Sequence, residues 1–239
     1  MTYCINPRCQ HRHNSEDGVC CQSCGTSLLI RDRYRLITPL RECNGHYIEV
    51  FEVQDLQNQD TPKVLKVVTN DDTQILKLFR QEHQILTNLN HEGIPRGEDA
   101  FSICLNDKPP LRCLVMQKIQ GQTLEQWLEQ HGAITEAQAI NWLTQITKIL
   151  LFIHQKNLFH RDIKPSNIML QTSGQLVLID FGTARQLTET VIGNSRVTIV
   201  YSGGYTAPEQ LEGEPCPNLT SLRWDEPLST YSRANIPTS

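Results

Sequence analysis

His160-Arg161-Asp162-Ile163-Lys164-Pro165-Ser166-Asn167 is followed by Asp180-Phe181-Gly182 and, further on, by Ala207-Pro208-Glu209. The character of the chain changes around this stretch. Upstream, Thr135 with Glu136 in the first turn opens a long amphipathic helix, with Ile140, Leu143, Ile146, Leu150 and Ile153 near helical spacing. Before it lie β-like runs over residues 47–53, 62–68 and 111–119, and a helical pattern over 74–89 (Ile75, Leu78, Phe79, Ile85, Leu86, Leu89). Downstream come a short apolar run at 176–179, a second loop, and a tail rich in Pro and Ser. The expected architecture is α+β: a small strand-rich lobe followed by a helical one.

Taken together and in this order, the three motifs resemble those of the protein kinase family, in the form bacteria share with eukaryotes. The resemblance covers roughly residues 34–210. It implies a bilobal fold, ATP with Mg²⁺ (or Mn²⁺) as cofactors, and proteins with Ser/Thr acceptor hydroxyls as substrates. Phosphoryl transfer needs an aligned acceptor and cations that neutralise charge on the moving group. The resemblance gives Asp162 the role of positioning the acceptor hydroxyl and taking its proton. Lys164 sits against the γ-phosphate, the serine/threonine version of this loop. Asn167 and Asp180 offer hard oxygen ligands to Mg²⁺. Val64-Leu65-Lys66 carries the lysine for the α- and β-phosphates, and Glu82, in Leu78-Phe79-Arg80-Gln81-Glu82-His83, is the acid that holds it. Met116 is the expected gatekeeper, with the Gln117 carbonyl and the Ile119 amide binding adenine. Arg161 implies an activation segment ordered by phosphorylation, with Thr183, Thr188, Thr190 and Thr198 as candidates.

Two departures stand out. The phosphate-covering loop aligns with Cys43-Asn44-Gly45-His46-Tyr47-Ile48, followed by Val50 over adenine, and only Gly45 remains of the family's three glycines. After Ala207-Pro208-Glu209-Gln210 the family continues with a helix whose Asp anchors the catalytic loop, yet residues 216–239 carry no helical apolar pattern. Codons for residues 218–236, read from their third base, permit Ser-Asp-Leu-Phe-Ala-Leu-Gly-Arg-Thr-Leu, a good sequence for that helix. The expectation is a frameshift near Pro217, a kinase domain over 34–210 lacking its later helices, and an irregular tail over 211–239.

Five of the nine cysteines fall in the first 24 residues, a density that points to metal rather than to a disulfide framework. Cys4-x4-Cys9 and Cys21-x2-Cys24-Gly25 have the layout of a four-thiolate Zn²⁺ site, a zinc-ribbon-like module over residues 1–30. It resembles the four-cysteine prefix of some bacterial serine/threonine kinases. Cys20 competes with Cys21, which keeps the x2 spacing; His11 and His13 are alternative ligands, and a redox pair or a disordered tag are the alternative readings. Cys43, Cys104, Cys113 and Cys216 read as small core or surface residues.

A net charge of −4 gives no footprint for nucleic acid. The longest apolar run, 149–153, is too short for a membrane segment. Met1-Thr2-Tyr3-Cys4 opens no secretory signal, so the sequence reads as cytoplasmic. The leading function is a serine/threonine kinase. The alternatives are an inactive truncated fragment that binds only nucleotide, metal or a partner, and a zinc-dependent scaffold.

Overall fold

Strand residues point alternately to opposite faces, and in the first lobe both faces are covered. The computed structural model describes residues 1–41, 47–58, 62–105 and 109–186. Expectations for Cys43, Gly45, Thr188, Thr190, Thr198, Cys216, Ala207-Pro208-Glu209 and residues 211–239 lie outside them. The chain begins with the two-residue strands β1 (Thr2–Tyr3), β2 (His13–Asn14) and β3 (Leu29–Ile30). Then follow β4 (Tyr34–Arg41), β5 (Ile48–Asp55), β6 (Lys63–Val68), helix α1 (Thr73–Asn88), β7 (Gly97–Ile103) and β8 (Leu111–Gln117). A six-stranded sheet runs β3-β4-β5-β6-β8-β7, antiparallel throughout. In its register Val50 pairs with Lys66 and Lys66 with Leu114.

One face of this sheet buries Leu65, Val67, Phe51, Val53, Cys113 and Val115 against Tyr3, Ile5 and Ile30 of the cysteine-rich segment. The other face, with Val68 and Leu114, joins a core that contains Phe79, Leu86 and Leu89 from α1. The outer strands curl towards each other: Arg31 lies 3.3 Å from Asp99 on β7 and 5.0 Å from the Phe101 ring centre, and Tyr34 stacks on Phe101. A charge network centred on the buried Asp55 and Lys63 closes the far end of the sheet. Arg33 grips Asp55 at 2.9 and 2.8 Å, and Lys63 lies between Asp55 and Glu98.

The second part contains β9 (Gln122–Thr123), α2 (Leu124–His131), α3 (Glu136–His154), β10 (Leu158–Phe159), β11 (Ile168–Leu170), β12 (Leu176–Leu178) and β13 (Arg185–Gln186). Single 3₁₀ turns span Pro165–Asn167 and Phe181–Thr183. Thr123 with Gln126 and Thr135 with Gln138 form reciprocal capping boxes, so the first orphan amides of α2 and α3 are satisfied. The α3 stripe that reaches the core is Trp142, Ile146, Ile149 and Ile153. Ile140 and Leu143, which share the apolar periodicity, are each 58% exposed on the adjoining face. No described helix is long and apolar enough to cross a membrane.

Candidate active site

Lys66 leaves the centre of β6 with 7% of its surface exposed. A buried ammonium needs partners, and it has two. Its Nζ donates to both carboxylate oxygens of Glu82 at 2.8 Å and to Asp180 Oδ1 at 2.9 Å. Glu82 comes from the buried face of α1, among Phe79 and Leu86. Burial alone would deprotonate the lysine, but Asp180 and Glu82 raise its pKa well above the usual value. Lys66 in turn holds Asp180 far below the carboxylate range, against the opposing effect of burial. Burial pushes Glu82 upward, opposed by Lys66. Gly182 leaves room for this cluster: a Cβ there would lie 3.2 Å from Asp180 Oδ1 and 3.5 Å from Lys66 Nζ.

The second group is held by the loop after β10. Asn167 Nδ2 donates to the Asp162 carbonyl at 2.9 Å and to Asp162 Oδ2 at 2.8 Å, while Lys164 Nζ lies 2.9 Å from the same Oδ2. With its amide hydrogens turned to Asp162, Asn167 has its Oδ1 to offer a cation. Asp180 keeps a second carboxylate oxygen beside the one that takes Lys66. This hard-oxygen pair fits Mg²⁺ or Mn²⁺.

His160 and Ile179 stitch the two groups together. His160 Nε2 donates to the Ile179 carbonyl at 3.0 Å, and its Nδ1 accepts from the Asp162 amide at 3.4 Å. One ring nitrogen donates and the other accepts, which is the neutral imidazole; burial lowers the His160 pKa, in agreement. The Ile179 amide donates to Asn167 O at 2.9 Å. Phe181, 1% exposed, packs edge-to-face on His160 at 4.8 Å. Arg161 and Asp180 both take left-handed backbone, at φ 69° and 61°, a conformation that costs a non-glycine residue about 1–3 kcal/mol and persists where surroundings enforce it. Thr183, one of the expected phosphorylation candidates, donates its hydroxyl to His160 O at 3.0 Å. Of the residues expected near adenine, Ile48 and Val50 occupy the face of β5 opposite the buried Phe51 and Val53. Met116 and Gln117 end β8, and Ile119 is buried just beyond it.

The sequence model for the protein kinase domain matches residues 44–221. The chain belongs to the protein kinase family. Serine/threonine-protein kinase B of Synechocystis is 32% identical over 231 residues, covering 90% of this kinase chain and 39% of the relative. Serine/threonine-protein kinase F of the same organism is 38% identical over 156 residues, 62% of this chain and 31% of the relative. Serine/threonine-protein kinase PrkC of Bacillus subtilis is 28% identical over 186 residues, 77% and 28% of the two chains. The kinase chain therefore spans less than two fifths of the length of these relatives. Protein kinases use ATP with Mg²⁺ or Mn²⁺.

A second cluster lies in the N-terminal segment of the chain. The sulfurs of Cys4, Cys9, Cys21 and Cys24 all lie within 4.8 Å of one another, with Cys4–Cys24 and Cys9–Cys21 each at 3.6 Å. Tetrahedral thiolates around a metal at 2.3 Å are about 3.8 Å apart, so the set can hold a metal ion. Cys20 is exposed in a bridge with Ser27 and stands outside it. His13 stacks edge-on against Tyr3, and His11 meets the cluster only through its carbonyl, which faces Cys9 and Cys21. Burial would raise the Cys24 thiol, but the Thr26 hydroxyl and amide bring it down to about 6. Backbone amides of Cys24 and Ser23 lower Cys21 against its burial. Burial pushes Cys4 and Cys9 up. A divalent cation would let all four ionise together.

Sequence reasoning missed Arg12, whose guanidinium reaches from this cluster to Glu49 on β5. It also left unassigned the bracing role of His160. No local spacing announces the first; the second sits inside the quoted motif and needed only the question of what holds Asp162.

Proposed function

We propose that the chain is a serine/threonine protein kinase that moves the γ-phosphoryl group of ATP to Ser/Thr hydroxyls of protein substrates. The observation that carries this reading is the Lys66 ammonium held between Glu82 and Asp180. It is the arrangement phosphoryl transfer requires of a charged lysine and a metal-binding acid. ATP supplies the phosphoryl group, and its Mg²⁺ or Mn²⁺ spreads the charge that develops on it. Lys66 binds the α- and β-phosphates, with Glu82 fixing its direction. Asp180 and Asn167 bind the cation. Asp162 orients the acceptor hydroxyl and takes its proton, while Lys164 supports the transferring group. Ile48 and Val50 cover adenine, and the Gln117 carbonyl and Ile119 amide set its edge. Gly45 contributes to the loop over the phosphates. In this reading residues 34–210 are the catalytic domain and residues 1–30 a zinc-binding module, with Cys4, Cys9, Cys21 and Cys24 as ligands. The serine/threonine kinases aligned along most of the chain favour this function over an inactive fragment.

The test is phosphoryl incorporation into a generic acceptor protein with Mg²⁺ and ATP, using Asp162→Asn as the blank. Transfer by the wild-type chain at least about a hundredfold above the variant supports the assignment. Equal incorporation by the two proteins sinks it. Metal analysis of protein purified without chelator should return one zinc per chain.

A further inference from the structure

Glu49 is out of place in its strand. On β5, Phe51 and Val53 point to the outer face of the sheet and are buried in an apolar cluster. Glu49 points the same way and is 3% exposed. A carboxylate in such a site is costly unless its oxygens are satisfied. Arg12, from the cysteine-rich segment, satisfies both: Nη1 donates to Oε1 at 2.7 Å and Nη2 to Oε2 at 2.9 Å. The guanidinium lies 4.7 Å over the Tyr3 ring and 5.4 Å from that of Phe51. Its Nε donates to the Cys4 carbonyl at 2.8 Å, while the Cys4 amide donates to Arg12 O at 2.8 Å. The residue that grips β5 is thus bonded through both backbone and side chain to one of the clustered cysteines.

The gripped position matters because of its neighbours. Glu49 stands between Ile48 and Val50, which point to the opposite face, and Val50 pairs with Lys66. The loop that precedes β5 has one glycine where phosphate-covering loops of this type have three. An apolar pair in place of the ion pair would anchor the segment as firmly or more so. What a two-point fork adds is direction, since parallel N–H···O bonds fix their partner laterally as well as in distance.

We propose that Arg12 is a positioning residue for the nucleotide site, setting through Glu49 the placement of Ile48 and Val50, so that the cysteine module tunes ATP affinity from the far side of the sheet. The proposal rests on the kinase reading. The experiment uses the full chain and compares wild type with Glu49→Gln, Arg12→Lys and the paired apolar variant Arg12→Met/Glu49→Leu. For each protein the KM for ATP, the KM for acceptor, kcat and Tm are measured. Each single variant should raise the KM for ATP about fivefold or more, leaving kcat and the acceptor KM within about twofold. The paired variant should regain Tm while keeping the raised KM for ATP, which a purely structural contact would not do. A KM for ATP that is unchanged in the single variants, or that recovers with Tm in the paired one, overturns the proposal.

The wild-type chain supplies an arm that survives a folding failure of the variants. Coupling between two sites is reciprocal, so Mg-ATP should slow alkylation of Cys4, Cys9, Cys21 and Cys24, followed peptide by peptide by mass spectrometry. Equal rates with and without nucleotide count against the proposal. Absence of phosphoryl transfer by the wild-type chain would instead remove the kinase assignment. Binding of a fluorescent ATP analogue to wild type and Glu49→Gln would then still test the coupling, with equal affinities refuting it.

Discussion

Lys66 shows how a single residue here takes its chemistry from its surroundings. Burial favours the neutral amine, and two carboxylates at hydrogen-bond distance reverse that preference. Replacing it by methionine leaves Glu82 and Asp180 facing each other without a cation. Removing one partner of a buried pair costs about 3–5 kcal/mol, and loss of a preorganised charge at a reacting centre costs about 10²–10³ in rate. Lys66→Met should therefore lower both Tm and phosphoryl transfer, checked by thermal melting and the acceptor assay. His160 gives a prediction with a defined sign. Its folded pKa lies below the ordinary 6.5, so the neutral ring is the form that folding favours. That stability is present above pH 6.5 and drains away as acid protonates the unfolded chain first. Asp180 is shifted downward and adds nothing to this window, being ionised in both states above the usual carboxylate range. The Tm advantage of wild type over His160→Asn should shrink from pH 7.5 to pH 5.5; an advantage that grows on acidification would contradict the neutral assignment. The gathering of Lys66 with Glu82 and Asp180, and of Asp162 with Asn167, was legible because the motifs tie residue type to fixed spacing. The Arg12–Glu49 pair was not, because 37 residues separate its members and an ion pair made only by folding leaves no periodic mark.

At the scale of elements, long periodic segments were readable and short ones were not. The helical pattern at 74–89 became α1 with Asp72 as its cap, its side chain accepting from the Gln74 and Ile75 amides. The pattern opened by Thr135 became α3. Helix α2 escaped, being eight residues long and therefore poor in periodic signal. Its capping box, Thr123 with Gln126, was the available cue. The exposed Ile140 and Leu143 show the limit of periodicity: it marks an apolar helix, while tertiary packing decides which stripe of it is buried. The α3 cap has a measurable worth. Thr135 accepts from the Gln138 amide, and the Gln138 side chain answers by accepting from the Thr135 amide at 3.0 Å. Thr135→Ala should cost about 1 kcal/mol, a fall of about 2–4 °C in Tm for a chain of this size. Phosphoryl transfer at a temperature well below the transition should be unchanged, since the cap touches none of the residues around Lys66 or Asp162.

Across the whole molecule the cysteine module and the sheet share one core. Ile5 and Ile30, with the Tyr3 ring, pack on the sheet face that carries Phe51, Leu65 and Val115, and Thr2 donates its hydroxyl to Leu36 O on β4 at 2.8 Å. Burying an aliphatic side chain contributes about 1.5–3 kcal/mol, so these two isoleucines alone bring about 3–6 kcal/mol. Whole domains are stable by only about 5–15 kcal/mol. A metal that folds the module therefore stabilises the strand lobe as well, because a segment this short cannot close its own core without a cross-link. The prediction separates neighbouring thiols. Cys21→Ser removes a sulfur that lies 3.6 Å from Cys9, whereas Cys20→Ser alters an exposed group outside the cluster. Zinc content should fall to near zero in the first and stay at one per chain in the second. The Tm of Cys21→Ser should drop by several degrees, and the lobe should melt with the module in one transition. Chelation of zinc from the wild-type protein should reproduce that fall, with added Zn²⁺ restoring it. If zinc is lost while the Tm of the strand lobe stays constant, the module is an appendage, and the apolar face it covers does not depend on it.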